Sequence, residues 1–286
     1  MRTRFAPSPT GPLHLGHAYS AMFAHELAQA SGGQFLLRIE DIDRSRARPE
    51  WEAQIYDDLH WLGLDWPVPV MRQSERLDVY RTALERLWQR GLLYPCSCRR
   101  RDILEAASAP QEGSAPPIGP DGIVYPGTCR HGDRIGALPG EALRLDMRKA
   151  VQFIDKIEFN ENGSGPDGET GRVSCSAVHL IDCVGDIVLA RRDMGTSYHL
   201  SVVIDDAAQG ISHVVRGQDL FEATAIHVVL QRLLDLPVPA YQHHKLIRDE
   251  TGKRLAKRDD ARAISAYRDQ GLSPHDIREI VGLTTP

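Results

Sequence analysis

The sequence has no apolar run long enough to cross a bilayer, and its N-terminus lacks the apolar core of a signal peptide. It has no excess of basic residues either, since 34 Lys and Arg oppose 39 Asp and Glu and the net charge is -5. This balance disfavours nonspecific coating of DNA, although a local basic face can still bind nucleic acid. Cysteine is scarce, with five residues, and the close pair Cys96 and Cys98 is more typical of metal-binding thiolates than of a disulfide. We therefore expect a cytoplasmic protein with reduced cysteines and no membrane association.

The apolar segments that are present follow the order of an α/β fold. A strand pattern at 2–6 leads through a Pro/Gly-rich loop into a helical stretch at 16–30 and then into the apolar run 34–40. Together these segments predict a β-α-β unit with parallel strands. Two further helices are predicted, one beginning near Pro49 and one after Ser74.

The pattern changes after Leu92. Cysteines, an arginine triplet and a tract rich in Ser, Pro and Gly predict an insertion at about 93–195, with short strands at 143–147 and 151–157. The α/β pattern then returns, and we predict a strand at 211–216, a helix at 219–234 and a strand near 244–247.

Two segments carry residues suited to phosphate. The loop 9–17 delivers His14 and His17 to the start of a helix, where backbone N–H groups and the helix dipole favour an anion and Gly16 permits close approach. The segment 253–258 places four cations in six residues, as a clamp for a leaving pyrophosphate would. Each alone is equally consistent with a surface turn or a solvated basic loop. Because the two bracket an α/β pattern, together they indicate a nucleotide site.

The sequence resembles glutamyl-tRNA synthetases, which are class I enzymes with a Rossmann-like catalytic domain. The resemblance is carried by the segments Arg4 to Gly11, His14 to His17, Arg38 to Asp43, Tyr198 to Asp206 and Val215 to Leu220, and by the basic loop. The short segment after the basic loop, the Cys-x-Cys and the later Tyr-x-x-x-Cys are more similar to glutamyl-Q-tRNA(Asp) synthetases. Members of that family activate glutamate and attach it to the queuosine base in the anticodon loop of tRNA(Asp).

The resemblance implies an α/β fold of the class I synthetase type with a parallel sheet. It divides the chain into a first catalytic half at 1–92, an inserted zinc-knuckle or acceptor-type subdomain at 93–195, a second catalytic half at 196–258 and a helical segment at 259–286. No anticodon-binding domain is expected. The implied partners are L-glutamate, ATP with Mg²⁺ and queuosine-containing tRNA(Asp), and a monomer is the default expectation.

The resemblance also implies a role for particular residues. Glutamate contacts are expected from Arg4, Phe5, Ala6, Pro7, Ser8, Glu40, Tyr198 and Arg216. In this set Arg4 and Arg216 would pair with the carboxylates of the substrate, Glu40 would pair with its ammonium group, and Tyr198 would supply a rigid hydroxyl. ATP contacts are expected from His14, Gly16, His17, Arg254 and Lys257. Catalysis is assigned to His14, His17 and Lys257, which stabilise charge in the transition state.

Two departures from the family pattern concern the basic loop, where Arg254 replaces a lysine and Ala256 removes a hydroxyl. The resemblance also implies a zinc site whose ligands are Cys96, Cys98, Tyr125 and Cys129. The third departure from the family pattern is the length of the tract between Cys98 and Tyr125. His131 is a competing fourth ligand, and reduced cysteines without metal remain an alternative. The triplet 99–101 is a candidate contact for RNA.

Other functions remain open from the sequence alone. They are a truncated glutamyl-tRNA synthetase that charges tRNA(Glu), a nucleotidylyltransferase of the same HxGH superfamily, and a noncatalytic RNA-binding paralogue. Retention of both histidines and of Lys257 disfavours the last of these.

Overall fold

The computed structural model describes residues 1–108, 116–132, 134, 136–247 and 262–283. The basic loop 253–258, with Arg254 and Lys257, lies outside the described residues. None of the described helices is both long and apolar enough to span a membrane.

The N-terminal part forms the predicted β-α-β unit and extends it. Its elements are β1 (Arg2–Phe5), α1 (Leu15–Ala30), β2 (Gln34–Ile39), α2 (Pro49–Trp61), β3 (Met71–Arg72) and α3 (Leu77–Gln89). Strand β2 pairs in parallel with β1 and with β3, as the apolar run predicted. Helix α1 begins where the His14 side chain accepts a hydrogen bond from Gly16 N, and Gly32 follows its end with a φ of 61° that favours glycine.

The middle of the chain forms short elements: β4 (Leu93–Pro95), α4 (Arg100–Ser108), β5 (Ile118–Gly119), β6 (Gly122–Ile123), β7 (Leu143–Leu145), α5 (Met147–Ala150), β8 (Ile157–Glu161), β9 (Gly171–Cys175), α6 (Ala177–His179) and β10 (Val188–Ala190). The strand predicted at 151–157 was wrong. Asp146 caps α5 by accepting from Lys149 N, and the chain continues as a 3₁₀ turn over Val151–Phe153 before β8 begins. A side-chain cap therefore outweighed the β-branched residues of this segment.

The C-terminal part contains α7 (Tyr198–Ala208), β11 (His213–Gly217), α8 (Ala223–Leu233), β12 (Ala240–His244), α9 (Ile264–Arg268) and α10 (Pro274–Ile280). Strands β11 and β12 pair in parallel, and β8 joins them, so the sheet order is β11-β12-β8-β9. The last predicted strand lies earlier in the chain than expected, at Ala240–His244. Between the two halves, Arg2 N donates to Ser212 Oγ at 2.8 Å and Ser212 N donates to Arg2 O at 3.0 Å.

Two apolar cores hold these layers together. One packs α1 against β1, β2, α2 and α10. The other packs α3, α7 and α8 against the middle of the chain. Burial of these side chains supplies the main favourable free energy of folding and fixes the ends of β1, β2 and β11 beside one another.

Asp58 is a buried carboxylate in α2, and neither of its oxygens has a hydrogen-bond partner within the part of the chain that the structure describes. Burial raises the pKa of Asp58 to about 6, above its unfolded value of 3.8. The cost of burying the ionised group is therefore present above about pH 6 and disappears as the pH falls toward 4. We expect Asp58→Asn to raise the free energy of unfolding by about 2 kcal/mol at pH 8 and to give little gain at pH 4.5.

Urea unfolding at the two pH values measures this difference. Glu105 is the matched control, because it is an exposed acid on a helix that pairs with Arg101 at 2.8 Å and does not act on Asp58. Glu105→Gln should give no gain at either pH. A gain for Asp58→Asn that is equal at both pH values would contradict the assignment.

Candidate active site

A cavity of about 370 Å³ opens at the ends of β1 and β11 beside the start of α1. The sequence-predicted residues that line it are Arg4, Phe5, Ala6, His14, Gly16, His17, Glu40, Tyr198 and Arg216. Pro7 and Ser8 are not among its lining residues. The Pro7 carbonyl instead accepts from Glu40 N at 3.0 Å, which ties the loop after β1 to the end of β2.

The two histidines lie together at the start of α1. Their rings stack with centroids 3.8 Å apart. His14 Nδ1 accepts from Gly16 N at 3.1 Å, and His17 Nδ1 accepts from His14 N at 3.2 Å. In each neutral ring the proton is therefore on Nε2. A Cβ at position 16 would lie 3.1 Å from the His14 ring, so glycine keeps this helix start uncrowded.

The opposite wall carries buried ion pairs. Asp206 Oδ1 accepts from Arg38 NH1 at 2.7 Å and from Arg4 Nε at 3.0 Å, and Arg38 NH2 donates to Glu40 at 3.1 Å. Burial disfavours ionisation of Asp206, but Arg4 and Arg38 outweigh it and hold its pKa below the ordinary value. For Glu40 burial outweighs Arg38, and the pKa is raised.

Arg216 is buried in the same wall, but its hydrogen bonds go to neutral groups. They join its guanidinium to His243, His227 and Thr224. Among the described residues no carboxylate forms an ion pair with it. Of the three buried arginines Arg4, Arg38 and Arg216, Arg216 is therefore the one without a carboxylate partner among the described residues, and it is the cation best placed to pair with a carboxylate of a ligand.

A second cluster brings together the residues predicted to bind metal. The sulfurs of Cys96, Cys98 and Cys129 lie within 4.8 Å of one another. The Tyr125 hydroxyl lies 3.3 Å from Cys98 Sγ and 3.5 Å from Cys96 Sγ. His131, although described, is not part of this group. The cluster can hold a metal ion, since convergent soft donors are the ligands that thiophilic metals prefer.

Arg144 supports this cluster from outside. Its Nε donates to Cys96 Sγ at 3.3 Å, and its guanidinium carbon lies 3.8 Å from the centroid of the Tyr125 ring. The pKa values within the cluster do not shift together. Burial raises the pKa of the Cys98 thiol to about 11 and also raises that of Tyr125. At Cys129 hydrogen bonds, first that from Tyr125, outweigh burial and the pKa falls to about 7.

Several residues of the cavity were missed by the sequence analysis. Ser20 Oγ and His244 Nε2 lie 2.8 Å apart and both line it. Asp206 and Arg38 do not line the cavity, but they hold Arg4 and Glu40, which do. Both lie inside segments that carry the family resemblance, and their pairing joins residues far apart in the chain. The arginine triplet lies at the start of α4, where its residues are exposed and Arg101 pairs with Glu105.

Comparison with known proteins identifies the family. The family described as tRNA synthetases class I (E and Q), catalytic domain, matches residues 1–131 and 140–285. A glutamyl-Q tRNA(Asp) synthetase from Rhodobacter capsulatus is 64% identical, over 99% of this chain and 100% of that protein. Another, from Symbiobacterium thermophilum, is 41% identical, over 96% of this chain and 83% of that protein.

A solved structure agrees with this family assignment. Glutamate-tRNA synthetase from Elizabethkingia anophelis superposes with a TM-score of 0.74 at 27% identity, covering 98% of this chain. The chain spans 61% of that longer protein. The predicted fold class, a class I synthetase α/β fold, is confirmed. The chain belongs to the class I tRNA synthetase (E and Q) family, in the group of the glutamyl-Q tRNA(Asp) synthetases.

Proposed function

We propose that the protein activates L-glutamate with ATP and transfers it to the queuosine base of tRNA(Asp). The observation that carries the proposal is 64% identity, over the whole of both chains, to a protein named for this activity. The cavity supports it independently, because its wall matches the charges of glutamate. Arg216 suits a carboxylate of the substrate, and Glu40 suits its ammonium group.

The first step takes place in the cavity, between the start of α1 and the wall that carries Arg216 and Glu40. The α-carboxylate of glutamate attacks the α-phosphorus of ATP, a P–O bond forms, and pyrophosphate leaves with its electron pair. His14 and His17 donate from Nε2 to phosphoryl oxygens at the start of α1, where the helix dipole adds to their effect. Mg²⁺ bound with the nucleotide would neutralise phosphate charge. Arg254 and Lys257 are proposed to clamp the leaving pyrophosphate.

In the second step a hydroxyl of the queuosine cyclopentene ring attacks the carbonyl carbon of the mixed anhydride. The ester bond forms, the bond between the carbonyl carbon and the phosphate oxygen breaks, and AMP leaves together with the proton of the attacking hydroxyl. Both steps need positioning and charge stabilisation, and neither needs a covalent bond to the protein.

Activation is tested by glutamate-dependent exchange of labelled pyrophosphate into ATP, with and without tRNA(Asp). Exchange should require glutamate, and glutamine and aspartate should not replace it. Exchange with no amino acid present would instead indicate a nucleotidylyltransferase, and absence of exchange under every condition would contradict the proposal.

For the second cluster we propose a structural zinc ion held by Cys96, Cys98, Cys129 and Tyr125. The support is the convergence of three thiols with a phenol, a set of four donors for a tetrahedral ion. Bound zinc would cross-link β4 to the segment after β6.

Cys98→Ser tests the zinc proposal. We expect the variant to lose the metal and to unfold more readily, because a structural metal contributes its binding free energy to folding. Metal content by mass spectrometry and thermal unfolding measure both effects. Cys183→Ser is the matched control, since Cys183 is exposed and lies outside the cluster, and it should keep the metal. A parent protein without zinc would contradict the assignment.

A further inference from the structure

The buried guanidinium of Arg216 is held on three sides. Its Nε donates to His243 Nε2 at 3.1 Å, its NH1 to His227 Nδ1 at 3.0 Å and its NH2 to Thr224 Oγ1 at 2.7 Å. Both imidazoles are only 2% exposed. If each bond uses one of the five N–H groups, one N–H on each terminal nitrogen is left for a ligand.

The chemistry of arginine fixes the protons of the neighbouring rings. A guanidinium can only donate, so His227 Nδ1 must accept and the proton of this neutral ring lies on Nε2. That proton is donated to His199 Nδ1, at 3.1 Å. His199 then carries its own proton on Nε2 and donates it to Asp121 Oδ1, at 3.3 Å. Burial and the charge of Arg216 lower the pKa of His227 well below the ordinary value, in agreement with a neutral ring.

A second, shorter branch of hydrogen bonds leads from Arg216 through His243. His243 Nε2 accepts from Arg216, so its Nδ1 donates to Glu161 Oε2 at 2.5 Å. Glu161 Oε1 also accepts from His243 N and from Gly163 N. This branch ends on a fully buried carboxylate within the sheet.

The branch through His227 and His199 ends at Asp121, near the surface. Asp121 lies in the turn between β5 and β6, and its side chain is 41% exposed, whereas that of His199 is 9% exposed. The chain of hydrogen bonds Asp121–His199–His227–Arg216 therefore runs from a partly exposed hairpin to the wall of the cavity. Every link has one donor and one acceptor, so the chain has a single direction.

We propose that His227 and His199 are positioning residues that hold Arg216 in place for the carboxylate of glutamate, and that their hold depends on Asp121 of the β5–β6 hairpin. The inference rests on the proposed function, in which Arg216 binds glutamate. Loss of the acceptor at position 227 leaves a buried N–H without a partner and lets the guanidinium turn away from the ligand.

The first experiment compares His227→Phe with His227→Gln. Phenylalanine keeps a ring but cannot accept, whereas glutamine can both accept from Arg216 and donate to His199. We expect His227→Phe to raise KM for glutamate about tenfold or more in pyrophosphate exchange, and His227→Gln to recover most of this loss. KM for ATP should stay unchanged in both. Calorimetric titration with L-glutamate should show the same order of affinities.

The second experiment tests Asp121, at the exposed end of the chain of hydrogen bonds. Asp121→Ala should raise KM for glutamate about threefold. Asp182→Ala is the matched control, because Asp182 is also an exposed acid of the 93–195 segment but lies outside the chain of hydrogen bonds, and it should have no effect.

The outcomes distinguish failure of the proposed positioning role from failure of the proposed glutamate activation. Equal losses in His227→Phe and His227→Gln, or a parallel rise in KM for ATP, would show a general structural role and overturn the inference. An Asp121→Ala variant identical to its control would overturn the dependence on the hairpin. A parent protein that neither binds glutamate nor shows exchange contradicts the proposed function, whatever the variants do.

Discussion

Replacing Arg216 by lysine should lower kcat/KM for glutamate by about 10²- to 10³-fold. Lysine keeps a positive charge, but it has no planar fork to pair with a carboxylate, and its three N–H donors cannot serve His243, His227, Thr224 and a ligand carboxylate together. The loss should appear mainly in KM for glutamate, because the contact is made in the ground state as well as in the transition state.

Steady-state pyrophosphate exchange over a range of glutamate concentrations measures this effect. Arg191→Lys is the matched control, because Arg191 is exposed and pairs only with Asp193 among the described carboxylates. It should behave as the parent protein. If Arg216→Lys kept the parent value of KM for glutamate, the carboxylate would have to bind elsewhere.

Replacing either histidine at the start of α1 should reduce kcat for activation by about 10²- to 10³-fold while KM for glutamate changes little. His17→Ala removes one donor to the phosphates. His14 needs a different substitution, because its ring also caps α1. His14→Asn keeps a good capping side chain and removes the imidazole, so the variant should fold normally and still be slow.

Thermal unfolding and exchange kinetics on the same preparations separate the two roles of His14. His275→Asn is the matched control, since His275 is exposed and lies on α10, and neither property should change. A His14→Asn variant that activates glutamate at the parent rate would show that the ring acts only as a cap.

Local features of the fold were accessible from the sequence. The β-α-β unit follows from an apolar strand, a helix with a glycine after its end, and a second apolar strand, all within 40 residues. The metal cluster follows from close cysteine spacing together with the resemblance, which supplied Tyr125 and Cys129. His14 and His17 meet because both belong to one helix start.

Long-range polar contacts were not accessible. Asp206 pairs with Arg4 across 202 residues and with Arg38 across 168, and no local period encodes such a pair. Strand β12 was displaced in the prediction because its last two residues, His243 and His244, are polar although both are buried, one on each face of the sheet. These polar residues are buried because they hydrogen-bond to other side chains, which the hydrophobic pattern cannot show.

Transfer of labelled glutamate to tRNA identifies the acceptor. The enzyme, ATP and labelled glutamate are incubated with tRNA(Asp) that contains queuosine, with tRNA(Asp) that lacks it, and with tRNA(Glu). We expect label on the queuosine-containing tRNA(Asp) alone. Label on tRNA(Glu), or equal label on both forms of tRNA(Asp), would contradict it.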